Sequence, residues 1–374
     1  DLGLKDGEIT GNNAGYAVSY HFDLADAQAG ANALPVPYDN ISNPQTVYVR
    51  VVDTSTGCYD TTTLELVVEQ APVTFDPEPL RYCDPDNDGF GFFTLTDADA
   101  EITGGAAGLT VTYHETPENA ASGADAIDTS VGYGNIVADV QTLYARVEST
   151  TIATDCYTIE ELELIVEPTP QLVDPEPLEE CDDISADGFA QFDLTSVEAE
   201  VLVAGQDPMD YAFSYYDDET DANVAVNAIA VPTAYTNTLA FNQTIWVRVD
   251  DPNTVAGCYK LTELELIVNP LPVLTAPSPL ELCDDNDPGD EQEAFNLEGA
   301  SPEILNGQGG IDLTYHETQM DAENGTGPIT GLYTNMSNPQ TIFVRGENAF
   351  GCVEYTTVTI RVLPVPTPTP SEQI

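Results

Sequence analysis

One segment of roughly a hundred residues is written four times along this 374-residue chain, and that repetition limits its folds more than any other feature. The series Tyr48-Val49-Arg50-Val51, Tyr144-Ala145-Arg146-Val147, Trp246-Val247-Arg248-Val249 and Phe343-Val344-Arg345-Gly346 marks the copies. Cys58, Cys156, Cys258 and Cys352 follow at matching places. A second cysteine leads three of the copies: Cys83, Cys181 and Cys283, spaced 98 and 102 residues apart. A period of that size is a domain repeated, not a solenoid turn. Leu2, Leu95, Leu194 and Leu297 each precede a glutamate by six residues: Glu8, Glu101, Glu200 and Glu303. The first copy therefore starts inside its first strand, and the chain reads as a window onto a longer array. Proline-rich linkers, 69–80, 167–178 and 269–280, favour extended, stiff backbone. The expected domains are 1–71, 72–168, 169–270 and 271–374, the last with a proline-rich tail.

Each copy reads as β. Val47, Val49 and Val51 alternate along one strand, and Leu64, Leu66 and Val68 along the next, with Gly57-Cys58 turning between them. Phe93-x-Leu95, Phe192-x-Leu194 and Phe295-x-Leu297 mark an earlier strand, followed by a short helical turn. There Thr195 to Glu198 reads as a capping box, and Ser301-Pro302 as an N-cap before a first-turn proline. Six to eight strands per hundred residues fit a two-sheet sandwich.

Charge removes several functions. Asp and Glu number 65 against 8 Lys and Arg, a formal net charge of −57. Nucleic acid and anionic lipid both require a basic footprint, which is missing. No apolar run is long enough to insert as a spanning helix. Regularly spaced cysteines in so lysine-poor a chain indicate an oxidising compartment.

The pattern C-D-x(n)-D-G-x-F-x-L, then Q-T-[VIL]-[YFW]-V-R-V, then G-C-x(5)-L-E-L-x-V-x-P resembles the repeats of giant cell-surface adhesins of Bacteroidota. These are exported by type IX secretion, and the gliding-motility adhesins are of this kind. The resemblance covers nearly the whole chain. It implies an extracellular tandem array of immunoglobulin-like β-sandwich domains that forms a stalk or filament region, with no catalytic residue.

The cysteines admit two pairings. Within a copy, Cys83 pairs with Cys156, Cys181 with Cys258 and Cys283 with Cys352. Across linkers, a constant spacing of 25 joins Cys58 to Cys83, Cys156 to Cys181 and Cys258 to Cys283. The last strand carries the chain roughly 33 Å from the hairpin before the linker begins, while disulfide partners need Cα atoms within about 7 Å. In a sandwich the last hairpin turn lies at the end where its domain begins, so the within-copy set is expected, with Cys58 left over.

Asp84, Asp86, Asp88 and Gly89 open like a calcium loop, although the twelfth position is Leu95 instead of a bidentate glutamate. The equivalents are Asp183, Ser185, Asp187 and Gly188, then Asp284, Asn286, Asp287 and Gly289. The loop lengthens from 10 to 11 to 12 residues between cysteine and phenylalanine. These are candidate Ca²⁺ sites, set against solvated acidic turns. Arg50, Arg146, Arg248 and Arg345 read as cross-strand ion-pair partners, each exposed pair being worth about 0–1 kcal/mol. The aromatic-arginine row is an alternative sugar-stacking surface. His21, His114 and His316 occupy one strand-end position that is Tyr216 in the third copy, so they form no metal cluster. Asp60-Thr61-Thr62 matches a short O-glycosylation triplet.

The expected function is a non-catalytic structural or adhesive stalk at a bacterial cell surface. Its partners are neighbouring repeats of the same longer chain, with surface glycans or other cells as targets. An array of glycan-binding modules is the alternative.

Overall fold

The computed structural model describes residues 1–151 and 156–366. The proline tail from 367 onward lies outside the described residues. Each full repeat builds a sheet of four strands and a smaller sheet of two. In the third repeat, Tyr259–Asn269 and Asn242–Asp250 form the long hairpin, and Ala212–Tyr216 pairs antiparallel with the latter. Gln191–Phe192 and Tyr235–Thr236 make the second sheet. The fourth repeat repeats this register strand for strand. The first repeat has three strands, Tyr16–His21, Gln45–Asp53 and Tyr59–Leu66.

Period-two alternation places the core. Ile245, Val247 and Val249 on one strand and Leu264, Leu266 and Val268 on its partner are buried, against Phe192, Leu194 and Tyr215. Leu143, Ala145, Val147, Leu162 and Leu164 do the same in the second repeat. In the first repeat Val47 and Val49 are buried, whereas Val51, Leu64 and Leu66 are only partly covered.

The strand that leads each repeat decides the rest. Leu178–Cys181 runs parallel to the last strand, Leu178 opposite Leu266 and Cys181 opposite Asn269. Leu280–Cys283 does so along Ile360 to Leu363. A leading cysteine thus sits where its own domain's last strand ends, and the hairpin cysteine where that strand begins. From Cys258 to Asn269 the strand covers roughly 35 Å. The sequence expectation put both cysteines at one end, which requires an antiparallel leading strand.

The helical turn after Phe-x-Leu is present as Leu95–Ala98, Leu194–Val197 and Leu297–Ala300. Its caps differ from expectation. Asp193, not Thr195, caps the third repeat's turn by accepting from Thr195 N at 3.0 Å. Ser301 lies inside the helix Ser301–Leu305, because the preceding turn runs straight into it. A second short helix, absent from the sequence expectation, follows the strands Tyr16–His21, Leu109–His114, Ala212–Tyr216 and Ile311–His316: Leu24–Ala29, Pro117–Ser122, Glu219–Val224 and Gln319–Asn324. Asp23, Thr116, Asp218 and Thr318 cap the N-termini.

Two compact units divide the chain. One holds Asp1–Tyr82 and Gly89–Val166; the other holds Cys83–Asp88 and the chain from Glu167 onward. The leading cysteine of the second repeat and its acidic loop therefore pack with the third repeat.

Candidate functional site: cysteine-bridged domain junctions

Two disulfides form, and both join consecutive repeats. Cys83 bonds Cys258 with Cα atoms 5.4 Å apart, and Cys181 bonds Cys352 at 5.6 Å. Each links a leading cysteine to the hairpin cysteine of the following repeat. This corrects the within-copy pairing: Cys83 does not bond Cys156, nor Cys181 Cys258, nor Cys283 Cys352. The cross-linker alternative also fails. The cause is the parallel leading strand, which separates the two cysteines of one repeat by most of a sheet's length.

Polar contacts surround each bridge. Asp84 is 1% exposed, and its Oδ1 accepts the amides of Asp86 at 3.2 Å and Asn87 at 2.9 Å. Asn87 and Thr169 exchange two hydrogen bonds of 3.0 Å, side chain to backbone. Thr169 Oγ1 donates to Asp84 O at 2.5 Å. Lys260 Nζ and Gln171 Nε2 each lie 3.4 Å from Pro85 O. The buried Glu167 carboxylate accepts from Val255 N and Ala256 N beside Cys258. At the next junction Asp182 N donates to Asn269 O, and Asn348 Nδ2 to Pro270 O. Cys352 Sγ lies 3.8 Å from Asn269 O.

The acidic loops divide. Asp84, Asp86 and Asp88 bring one oxygen each within 4.8 Å of the others, and so do Asp182, Asp183 and Asp187. Asp182 was missed in sequence because the loop is one residue longer, which moved the motif match onto Asp183. Asp84 hydrogen-bonding to Asp86, with Asp88 adding like charge, pushes the Asp86 carboxyl above its usual range. Asp183 goes the other way, because the Ser185 hydroxyl and amide donate to it. Asp284 and Asp287 do not join any such group among the described residues. Asp284 Oδ2 accepts from Gly289 N at 2.7 Å while its buried Oδ1 has no partner. Glu293 closes that loop by accepting from Asp285 N and Asn286 N.

The arginines are structural in a way the sequence did not show. Arg248 Nη1 donates to the carbonyls of Ala222 and Asn223, at the C-terminus of the short helix. Arg146 does the same at Ala120 and Ala121, and Arg50 at Ala27 and Gln28. Arg146, Arg248 and Arg345 pair with Glu148, Asp250 and Glu347 respectively, two residues along the same strand and not across it. The guanidinium groups stack on Tyr59, Tyr157 and Tyr259 at 3.4–3.6 Å, not on the aromatics of their own strand. His21, His114 and His316 are fully buried, with one ring nitrogen on a backbone carbonyl and the other on a hydroxyl. Trp246 is half-buried and lines a shallow groove of about 680 Å³ with Asp174, Glu263 and Glu265.

A family described as the Flavobacterium inter-domain disulphide bond domain matches residues 1–72, 79–170, 177–272 and 279–366. The chain belongs to this family. Of its four copies of the Flavobacterium inter-domain disulphide bond domain, the second, third and fourth carry bridges of the kind that the description names. No curated protein matches the sequence. Solved structures similar to it include a three-immunoglobulin-domain segment of titin, 10% identical, covering 69% of this chain and 89% of that one at a TM-score of 0.26. Drosophila N-cadherin is 12% identical over 77% and 74%, at 0.18. Immunoglobulin domains one to five of Sidekick-1 are 10% identical over 93% and 74%, at 0.22. At these scores the assignment of immunoglobulin-like sandwiches stands on the strands and sheets described above. No helix among the described residues is long and apolar enough to cross a membrane.

Proposed function

We propose that this chain is a load-carrying, non-catalytic region of a bacterial cell-surface adhesin exported to the extracellular space. The observation that carries this reading is the pair of bridges between consecutive repeats, Cys83–Cys258 and Cys181–Cys352. Each bridge spans a junction that the proline linker alone would leave to a single covalent strand. Under tension, load bypasses the intervening sequence through sulfur. Pulling single molecules from both ends tests this. In a chain with Cys181→Ser and Cys352→Ser, reduction should release about 600 Å of additional contour, since the Cys83–Cys258 bridge spans 175 residues at roughly 3.5 Å each. Equal contour with and without reductant would sink the mechanical reading.

Ca²⁺ binding at Asp84, Asp86 and Asp88, and at Asp182, Asp183 and Asp187, is the finer part of the proposal. The fourth repeat's Asp284 and Asp287 are left out of it, because their oxygens do not converge. Hard carboxylate oxygens suit Ca²⁺, and a divalent ion would replace the Asp84 hydrogen bond and offset the Asp88 charge that together raise Asp86. Saturating Ca²⁺ should raise the melting temperature, by about 2.7 kcal/mol of stability at a hundredfold excess over Kd. Asp86→Asn should raise it slightly in chelator and shrink the Ca²⁺ increment. No response of the wild type to Ca²⁺ removes this part.

A further inference from the structure

The groove beside Trp246 in the third repeat takes no part in the cysteine bridges. Thr244 and Trp246 alternate with the core residues Ile245 and Val247 and so face outward, opposite Glu265 and Glu263 on the partner strand. The proline linker supplies the other wall, with Asp174, Pro175 and Pro177, and the groove measures about 680 Å³. Asp174 Oδ1 accepts from Thr262 Oγ1 at 2.8 Å, which holds the linker beside the strand. Asp174, Glu263 and Glu265 enter no ion pair among the described residues. Nor do their oxygens gather, all three, within 4.8 Å of one another. A single metal ion therefore cannot take all three, whereas an extended row of cations can. Glu263 and Glu265 stand two residues apart on one face, roughly 7 Å along the strand, and alternate residues of an incoming extended chain have the same spacing. Trp246, directly across from Glu263, adds the preference for arginine. A guanidinium lies flat on an indole and forks onto a carboxylate, where an ammonium makes a point contact.

The other repeats show that the fold does not require these side chains. The second keeps the arrangement, with Tyr144 opposite Glu161 and Thr142 opposite Glu163. The fourth has Phe343 opposite Thr357, Thr341 opposite Thr359, and Ala276 where the third has Asp174. Its strands pair in the same register without the carboxylates. We propose that the groove of the third repeat binds an extended, arginine-bearing segment of a partner protein, with alternate arginines on Glu263 and Glu265 and one of them stacked on Trp246. A second copy of this chain does not fit that description. Among its 8 Lys and Arg, Arg50, Arg146, Arg248 and Arg345 are engaged within their own repeats. The inference is independent of the load-carrying reading, and either fails without the other.

Trp246 is its own reporter, because the chain has 1 tryptophan. The test titrates the full 374-residue chain with a peptide of alternating arginine and threonine and follows tryptophan emission. The expected result is a saturable change that weakens with added salt. Glu263→Thr with Glu265→Thr, the residues of the fourth repeat, should weaken binding about tenfold, as the loss of two exposed ion pairs allows. Asp174→Ala, on the linker and outside the strands, should weaken it too, which separates lost binding from a damaged sheet. Glu180→Gln with Glu219→Gln removes the same charge from exposed positions away from the groove and should leave the titration unchanged. A lysine–threonine peptide should bind more weakly than the arginine one. Absence of a saturable emission change overturns the proposal. Equal weakening by the control pair also overturns it, since that means diffuse attraction to a chain of net charge −57. So do a lysine–threonine peptide that binds as tightly, and displacement of the peptide by maltohexaose, an uncharged sugar that would need stacking alone.

Discussion

Replacing Cys258 with serine is expected to destabilise the chain by up to about 5 kcal/mol, because its bridge closes a path of 175 residues and the chain-entropy term grows with loop length. That figure is a ceiling. The core of the third repeat survives the change, and an array of domains does not unfold in one two-state step. Serine fits the site, since Glu167 already lies beside the Cys258 sulfur at 4.0 Å. The informative form of the experiment is a double-mutant cycle with Cys83→Ser. Both substitutions remove the same bond, so the pair should cost little more than either alone. Within-copy bridges would give additive losses instead, because Cys83 and Cys258 would then belong to different bonds.

Arg248→Ala should cost about 2–4 kcal/mol, from the price of leaving buried acceptors unpaired. Arg248 is 7% exposed. It satisfies the Ala222 and Asn223 carbonyls, forks onto Asp250 and covers the Tyr259 ring. Losing it orphans the end of the helix Glu219–Val224 and leaves Asp250 without its cation. Arg248→Lys should rescue little, because a single ammonium cannot reach two carbonyls and a carboxylate in one plane. Hydrogen exchange of the Glu219–Val224 amides is the local readout. Those amides should exchange much faster in both variants, while amides of the second repeat stay unchanged. Protection equal to wild type would mean that the arginine does not hold the helix.

The strands and their inward faces were legible because period two leaves a mark on sequence. Val47 and Val49 are buried where alternation puts them, whereas Val68, read into the same pattern, is exposed beyond the end of the strand at Leu66. The second helix of each repeat was not legible, because at six residues it is too short to show a 3.6-residue period. Only its caps, such as Thr116 and Gly123, could have signalled it. Repetition identified the equivalent cysteines but could not pair them. Pairing depends on whether four residues, Leu178–Cys181, lie parallel or antiparallel to the last strand, and four residues of strand look the same in either direction. The tandem sandwich therefore stood while the self-stapled copy fell. Asp182 escaped for a related reason: a loop one residue longer slid the acidic motif off the buried aspartate that follows the cysteine. The arginines were recognised as structural, but their helix carbonyls were hidden along with the helix.

The central claim is that a leading cysteine bonds the hairpin cysteine of the next repeat. Proteolysis of the oxidised chain at acidic residues, without reductant, followed by mass spectrometry of the linked peptides, tests it directly. The account predicts peptides joining Cys83 to Cys258 and Cys181 to Cys352. Peptides joining Cys83 to Cys156, or Cys181 to Cys258, would contradict it.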